Sequence, residues 1–151
     1  MKVLILGGYG VFGGRLTRLL LQDGVETVVA GRDLKKAAAF TNEYGGTPLF
    51  IDIAKDLSPI AQSAPGLVAD AAGPFQSYGN DPYRVARFCI GRKIHYLDLS
   101  DDAAFTAGIA GLNENAIAAG CFALSGVSSL PAISASAVRF LGEGLSGIKL
   151  I

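Results

Sequence analysis

The sequence predicts an α/β protein: a doubly wound parallel sheet of about six strands, with helices on both faces. Three observations predict it. Short, wholly apolar runs alternate with segments of helical periodicity along the chain, as expected of strands buried on both faces and joined by crossover helices. A glycine-rich turn, Gly7-Gly8-Tyr9-Gly10-Val11-Phe12-Gly13-Gly14, separates the first strand from the first helix. Glycine supplies 20 of the 151 residues, about twice the usual share of roughly 7%. Glycine weakens element interiors, so an apolar chain with this much of it has a use for it at turns.

The elements follow in order. Val3–Leu6 is a buried strand stopped by glycine. From Val11 the pattern is helical, with Val11, Phe12, Leu16, Leu19 and Leu20 on the predicted buried face and Arg15, Arg18 and Gln22 opposite; Gly24 ends it. Residues 26–30 form the second strand. Asp33 caps a helix running to Tyr44, which Gly45-Gly46 stops. Residues 49–51 form the third strand. Ser58-Pro59 opens a short helix as cap plus proline. A fourth strand begins at Leu67 and ends near Ala72-Gly73-Pro74. Asp81-Pro82 repeats the cap-plus-proline signature for a helix to Gly91. Residues 95–99 are the fifth strand, and Asp101-Asp102 starts an alanine-rich helix ending at Gly120. Residues 121–125 are the sixth strand, 131–141 a helix, and 148–151 the start of another strand.

Length and the absence of an internal linker predict one domain over residues 1–151. Thirteen basic and thirteen acidic residues give a formal net charge of zero, which argues against binding nucleic acid or an anionic membrane surface. The first apolar run is too short for a signal peptide, and none reaches the about 18 residues of a membrane span. Cys89 and Cys121 lack metal or redox spacing and read as core residues of a cytoplasmic protein. With His95 the lone histidine, no metal site is expected.

Gly8, Gly10 and Gly13 satisfy G-x-G-x-x-G in its required setting, after a strand and at a helix start. The pattern predicts a Rossmann-type dinucleotide site. Gly8 is assigned the tight turn, Gly10 the close approach to a pyrophosphate, and Gly13 the packing of helix on sheet. No Gly-Lys-Ser/Thr follows, which excludes a P-loop. Where NAD enzymes place a ribose-binding acid, the chain has Gly31, followed by Arg32. Glycine leaves room for a 2′-phosphate and a guanidinium can bind it, so NADP is favoured over NAD; the other reading of Arg32 is an exposed strand-end side chain. Asp33 reads as a helix cap. Asp52 is either an adenine-side acceptor or a loop cap. Ala72, Gly73, Pro74 and Phe75 are assigned to the nicotinamide-ribose wall.

The segments at 7–13 (GGYGVFG), 30–33 (AGRD), 73–79 (GPFQSYG), 95–102 (HYLDLSDD) and 124–134 (LSGVSSLPAIS) resemble the NADP-binding domain of the saccharopine dehydrogenase family, in its bacterial oxidoreductase-like branch. The resemblance implies hydride transfer to or from an amine or imine. It implies cofactor contacts along the turn from Gly7 to Gly13, including Tyr9, Val11 and Phe12, at Arg32, and at Gly73 to Phe75. It also implies a second, substrate-binding domain beginning near residues 145–151, which binds the small-molecule substrate and can form a homodimer. This chain then reads as the cofactor half of an enzyme, inactive alone. Asp98 and Ser100 are expected to face the substrate cleft, with Asp98 the candidate catalytic acid. The branch commonly has Gly-Glu after this Asp-Leu-Ser, where this chain has Asp101-Asp102, so helix capping stands beside catalysis for Asp98 and Asp101. A short-chain dehydrogenase is disfavoured, because no tyrosine has lysine four positions later; Tyr83 has Arg87 there. A methyltransferase leaves Arg32 without a phosphate to meet. A non-enzymatic NADP-sensing module is the alternative. An apolar surface is expected near Phe75, Leu130 and Pro131, where a second domain would dock.

Overall fold

A computed structural model describes residues 1–128 and 133–145. The expected start of a helix at 131, the strand at 148–151, and Leu130 and Pro131 of the predicted docking surface lie outside the described residues. The described strands are β1 (Val3–Leu6), β2 (Thr27–Gly31), β3 (Thr47–Phe50), β4 (Leu67–Asp70), β5 (His95–Asp98) and β6 (Ala123–Leu124). They form one sheet in the order β3-β2-β1-β4-β5-β6, parallel throughout. The described helices are α1 (Val11–Gln22), α2 (Leu34–Tyr44), α3 (Ser58–Ser63), α4 (Arg84–Ile90), α5 (Ala103–Gly108), α6 (Asn113–Ala119) and α7 (Ser134–Leu141). This is the predicted doubly wound α/β architecture. The order reverses direction beside β1, between β2 and β4. Crevices for ligands in open sheets form at such a switch point, beyond the carboxyl ends of the strands.

Every residue of β1 is buried. The larger core layer joins Leu4, Leu6, Val28, Val68 and Tyr96 to Ile60, Val85, Cys89 and Ile90. The smaller layer, built on Val3, Ile5 and Ala69, packs against Leu16 and Leu20. Each fully buried Leu or Ile contributes about 2 kcal/mol. The two layers explain why the central strands carry no polar alternation. Burial pushes the Cys89 thiol up to about 12, in keeping with a core residue.

The buried face of α1 is the expected one only in part: Leu16 and Leu20 pack on the smaller core layer. Its fully buried residues are Gly13, Gly14 and Thr17, while Val11, Phe12 and Leu19, also expected there, are 84%, 69% and 52% exposed. Small residues at 13, 14 and 17 bring the helix backbone against the β1 turn, and this close approach sets the helix rotation. An apolar-periodicity count cannot register contacts made by residues without apolar side chains.

Other boundaries shift for local reasons. β3 begins at Thr47 and includes Pro48; it is an edge strand, where a missing N–H is tolerated. Ser58 is the first residue of α3 rather than its cap; its N–H and hydroxyl donate to Asp56 at 2.8 and 2.6 Å. Residues 82 and 83 form a turn ahead of α4, so Asp81-Pro82 does not open that helix directly. The expected single helix from Asp101 to Gly120 is broken into α5, a 3₁₀ turn at Ile109–Leu112, and α6. Its start is as expected, with the Asp102 carboxylate accepting from Phe105 N–H at 2.7 Å. The break falls where Gly108 and Gly111 weaken helical propensity. A Cβ at Gly108 would collide with the Tyr83 hydroxyl, which donates to the Phe105 carbonyl at 2.9 Å. Among the described residues no helix is long and apolar enough to cross a membrane.

Candidate functional site

β1 ends in the glycine turn. Gly7 has φ +71°, the left-handed conformation that glycine adopts without strain. The turn role expected of Gly8 therefore belongs to Gly7. Gly8 is a packing glycine: a Cβ there would lie 2.9 Å from the Ile5 carbonyl oxygen. Gly13 does what its spacing predicts, for a Cβ there would collide with the Gly7 carbonyl. Thr17 fastens the same junction, its buried hydroxyl 2.9 Å from the Gly8 carbonyl and 2.8 Å from that of Gly13. The glycine spacing does not mark Thr17; its local signal is a polar residue one turn after Gly13 on the packing face. Thr17→Val keeps the volume and removes the one hydroxyl proton that the Gly8 and Gly13 carbonyls share. An expected loss of about 1–2 kcal/mol is measurable by urea unfolding, and an unchanged midpoint would refute it.

Gly10 is the N-cap of α1. Among the described residues no side chain caps this helix, and its first turn holds no acidic residue. Gly10 N–H donates back to the Gly7 carbonyl at 2.8 Å, and Gly14 N–H closes the first helical bond to Gly10. The N–H groups of Val11 and Phe12 make no hydrogen bond among the described residues. Free donors at the positive pole of a helix suit an anion.

Two cavities flank this turn. The first, of ≈ 680 Å³, is lined by Gly7, Tyr9, Gly10, Gly31, Arg32, Asp52, Ala72, Gly73 and Pro74 among others. The second, of ≈ 670 Å³, is lined by Val11, Phe12, Ala72, Gly73, Pro74, Phe75 and Asp101 among others. They share the segment Ala71–Pro74 beyond β4. The fold thus gathers most of the sequence-predicted residues along one trough at the switch point. Gly8 and Gly13 line neither cavity, and act as spacers beneath it.

Arg32, on the wall of the first cavity, is exposed. It makes no hydrogen bond or ion pair to another described residue. Asp33 is the expected cap, its carboxylate accepting from Lys36 N–H at 3.0 Å. Asp52 caps its loop. It lines the cavity, while one oxygen accepts from Ala54 N–H at 3.2 Å and the other lies 3.5 Å from Lys55 Nζ. Arg84 secures this loop by donating to the Ile53 and Lys55 carbonyls at 2.6 and 3.2 Å; no local pattern marks it, because the two partners lie on a different loop.

The acids at the strand ends depart from expectation. Asp98 and Ser100 are fully buried and do not face an open cleft. Asp98 Oδ1 accepts from Ser100 N–H, Ser125 Oγ and Gly126 N–H at 3.0, 2.8 and 3.0 Å, tying β5 to the loop after β6. Its Oδ2 is buried and has no hydrogen-bond partner among the described residues. Asp101 is exposed and lines the second cavity. Phe75 is only 5% exposed, so the apolar surface expected there is absent at that residue. Its ring packs against Tyr78 and Phe105, with centroids 5.1 and 5.0 Å away.

Asp70, which the sequence reading did not single out, ends β4 in register with Asp98. It is fully buried and accepts from Ala72 N–H at 3.0 Å and from the Tyr78 hydroxyl at 3.0 and 3.1 Å. The Tyr96 hydroxyl lies 3.4 Å away. Burial raises its carboxyl to about 6, and Asp98 adds to the rise against these hydrogen bonds. Burial and the Asp70 charge in turn push the Tyr78 phenol up, which keeps it a donor on the wall of the first cavity. An acid closing the run Leu67-Val68-Ala69 was the signal to read.

A family model described as the saccharopine dehydrogenase NADP-binding domain matches residues 3–124. No curated protein sequence matches the chain. Among solved structures, saccharopine dehydrogenase (L-Glu forming) from Saccharomyces cerevisiae aligns with a TM-score of 0.72 at 21% identity, over 94% of this chain and 31% of that one. The chain therefore spans about a third of that protein's length. A dehydrogenase from Chromobacterium violaceum aligns with a TM-score of 0.66 at 18% identity, over 95% of this chain and 40% of that one. GenD2 of gentamicin A biosynthesis, solved in complex with NAD, aligns with a TM-score of 0.63 at 18% identity, over 95% and 39%. At these identities the structural likeness speaks for the fold.

Proposed function

The chain belongs to the saccharopine dehydrogenase NADP-binding domain family, and from that premise we propose that it is the cofactor-holding unit of an NADP-dependent oxidoreductase acting on a carbon–nitrogen bond. The observation that carries the reading is the trough itself: the uncapped start of α1 lies between an Arg32 end and an Asp101 end.

The residues present fit a dinucleotide. Val11 and Phe12 N–H groups are free to hold the pyrophosphate, and Gly10 brings backbone close to it. Arg32 meets the 2′-phosphate, with Asp52 on the adenine side. Gly73 and Pro74 wall the nicotinamide ribose. The bound cofactor supplies the hydride. The chain's part is to hold and orient it, and to leave Asp101 open at the second cavity for proton exchange with a substrate nitrogen. Asp98, buried beneath, positions the strand end from which Asp101 projects. On this reading a further domain supplies most substrate contacts and any dimer interface, and the unit works in the cytoplasm. Titration followed by NADPH fluorescence tests the proposal. Binding tighter than about 1 mM, roughly 4 kcal/mol, is expected, and no saturation at that concentration would overturn it.

A further inference from the structure

Tyr9 occupies a variable position of the glycine motif, where spacing assigns no side-chain role. In the fold its ring lies directly over Gly31. A Cβ on Gly31 would come 2.5 Å from the Tyr9 hydroxyl and 2.7 and 2.8 Å from its Cε1 and Cζ. The hydroxyl accepts the Asp33 N–H at 3.0 Å, and donates its own proton to no described residue. Tyr9, Gly31 and Arg32 share the wall of the first cavity.

From this geometry we infer that Tyr9 is a specificity-determining residue that selects a 2′-phosphorylated dinucleotide. The inference rests on the dinucleotide reading above. A ribose-binding acid would stand at position 31, and any side chain there meets the Tyr9 ring. The phenol takes the place of that carboxylate. A carboxylate accepts from a ribose 2′-hydroxyl and repels a phosphate. A neutral phenol held by the Asp33 N–H has its proton to give to a phosphate oxygen, beside the Arg32 guanidinium. The nearby anion, the Asp33 carboxylate, is turned to Lys36, accepting its N–H and lying 3.9 Å from its Nζ.

The test measures NADPH and NADH affinity for wild type and Tyr9→Phe, with adenosine 2′,5′-bisphosphate and AMP as competing probes. Tyr9→Phe is expected to weaken NADPH and the bisphosphate about tenfold, the loss of one hydrogen bond to a charged group, and to leave NADH and AMP within about twofold. Tyr9→Ala combined with Gly31→Asp opens the space and restores an acid, and is expected to reverse the preference toward NADH. Equal losses for both cofactors in Tyr9→Phe, or an unchanged preference in the double variant, would overturn the inference and leave dinucleotide binding standing. A wild-type protein that binds neither cofactor nor either probe overturns the dinucleotide reading, and this inference with it.

Discussion

Arg32→Ala is expected to weaken NADPH binding about 100-fold while changing NADH binding little. A guanidinium meets a phosphate with two parallel charge-assisted hydrogen bonds, each worth about 1.5–3 kcal/mol. Arg32 is exposed, so solvent screening holds the sum toward the low end. The unphosphorylated cofactor offers this side chain no anion, and on the proposed reading the pyrophosphate is held elsewhere, by backbone at the start of α1. Isothermal titration with both cofactors checks the asymmetry. Raising the salt concentration is expected to narrow the gap, because an exposed ion pair is screened within about 10 Å at 0.1 M. Equal losses for NADPH and NADH would mean that Arg32 shapes the loop rather than reading the phosphate.

The second large effect is on stability. Asp70 is fully buried with its carboxyl raised to about 6 from an ordinary 3.8, chiefly by burial and further by Asp98. The folded state therefore holds the proton more tightly than the unfolded chain. Below about pH 4 the group is protonated in both states and contributes nothing to the difference. As pH rises to about 6 the unfolded chain gives up its proton first, and folding loses stability. Above that the cost is constant, about 3 kcal/mol. Asp70→Asn cannot titrate. Its stability relative to wild type should rise by about 3 kcal/mol between pH 4 and pH 7 in urea unfolding, on top of a constant offset for the altered hydrogen bonds to Tyr78 and Ala72. Parallel curves for the two proteins across that range would show that Asp70 does not carry the raised carboxyl.

These two predictions differ in how they became visible. Arg32 was readable because its position follows from counting: a glycine motif, a helix, a strand, and then the residue after the expected acid. Asp70 required the register of β4 against β5, which sets it opposite Asp98. No local pattern encodes that pairing, since the two acids are separated by a full strand-helix-strand unit. The Tyr9–Gly31 contact has the same character. Each residue has a plausible local reading, a variable motif position and a space for phosphate, and only the folded β1–β2 pairing brings the ring over the missing Cβ.

The sequence by itself determined the α/β class, the order of the elements and the place of the trough. These depend on apolar runs, capping residues such as Asp33 and Asp102, and the glycine spacing, all of which act over a few residues. The tertiary structure decided which face of α1 is buried, that Gly7 rather than Gly8 makes the turn, and that Asp101 rather than Asp98 opens on the cavity. Each of those outcomes depends on distances between backbones of different elements. Close approach buries the small residues of α1 and leaves Val11 and Phe12 exposed, and the end of β5 turns Asp98 inward onto the loop after β6. Local chemistry fixes what an element is, and packing between elements fixes which of its side chains are left to meet a ligand.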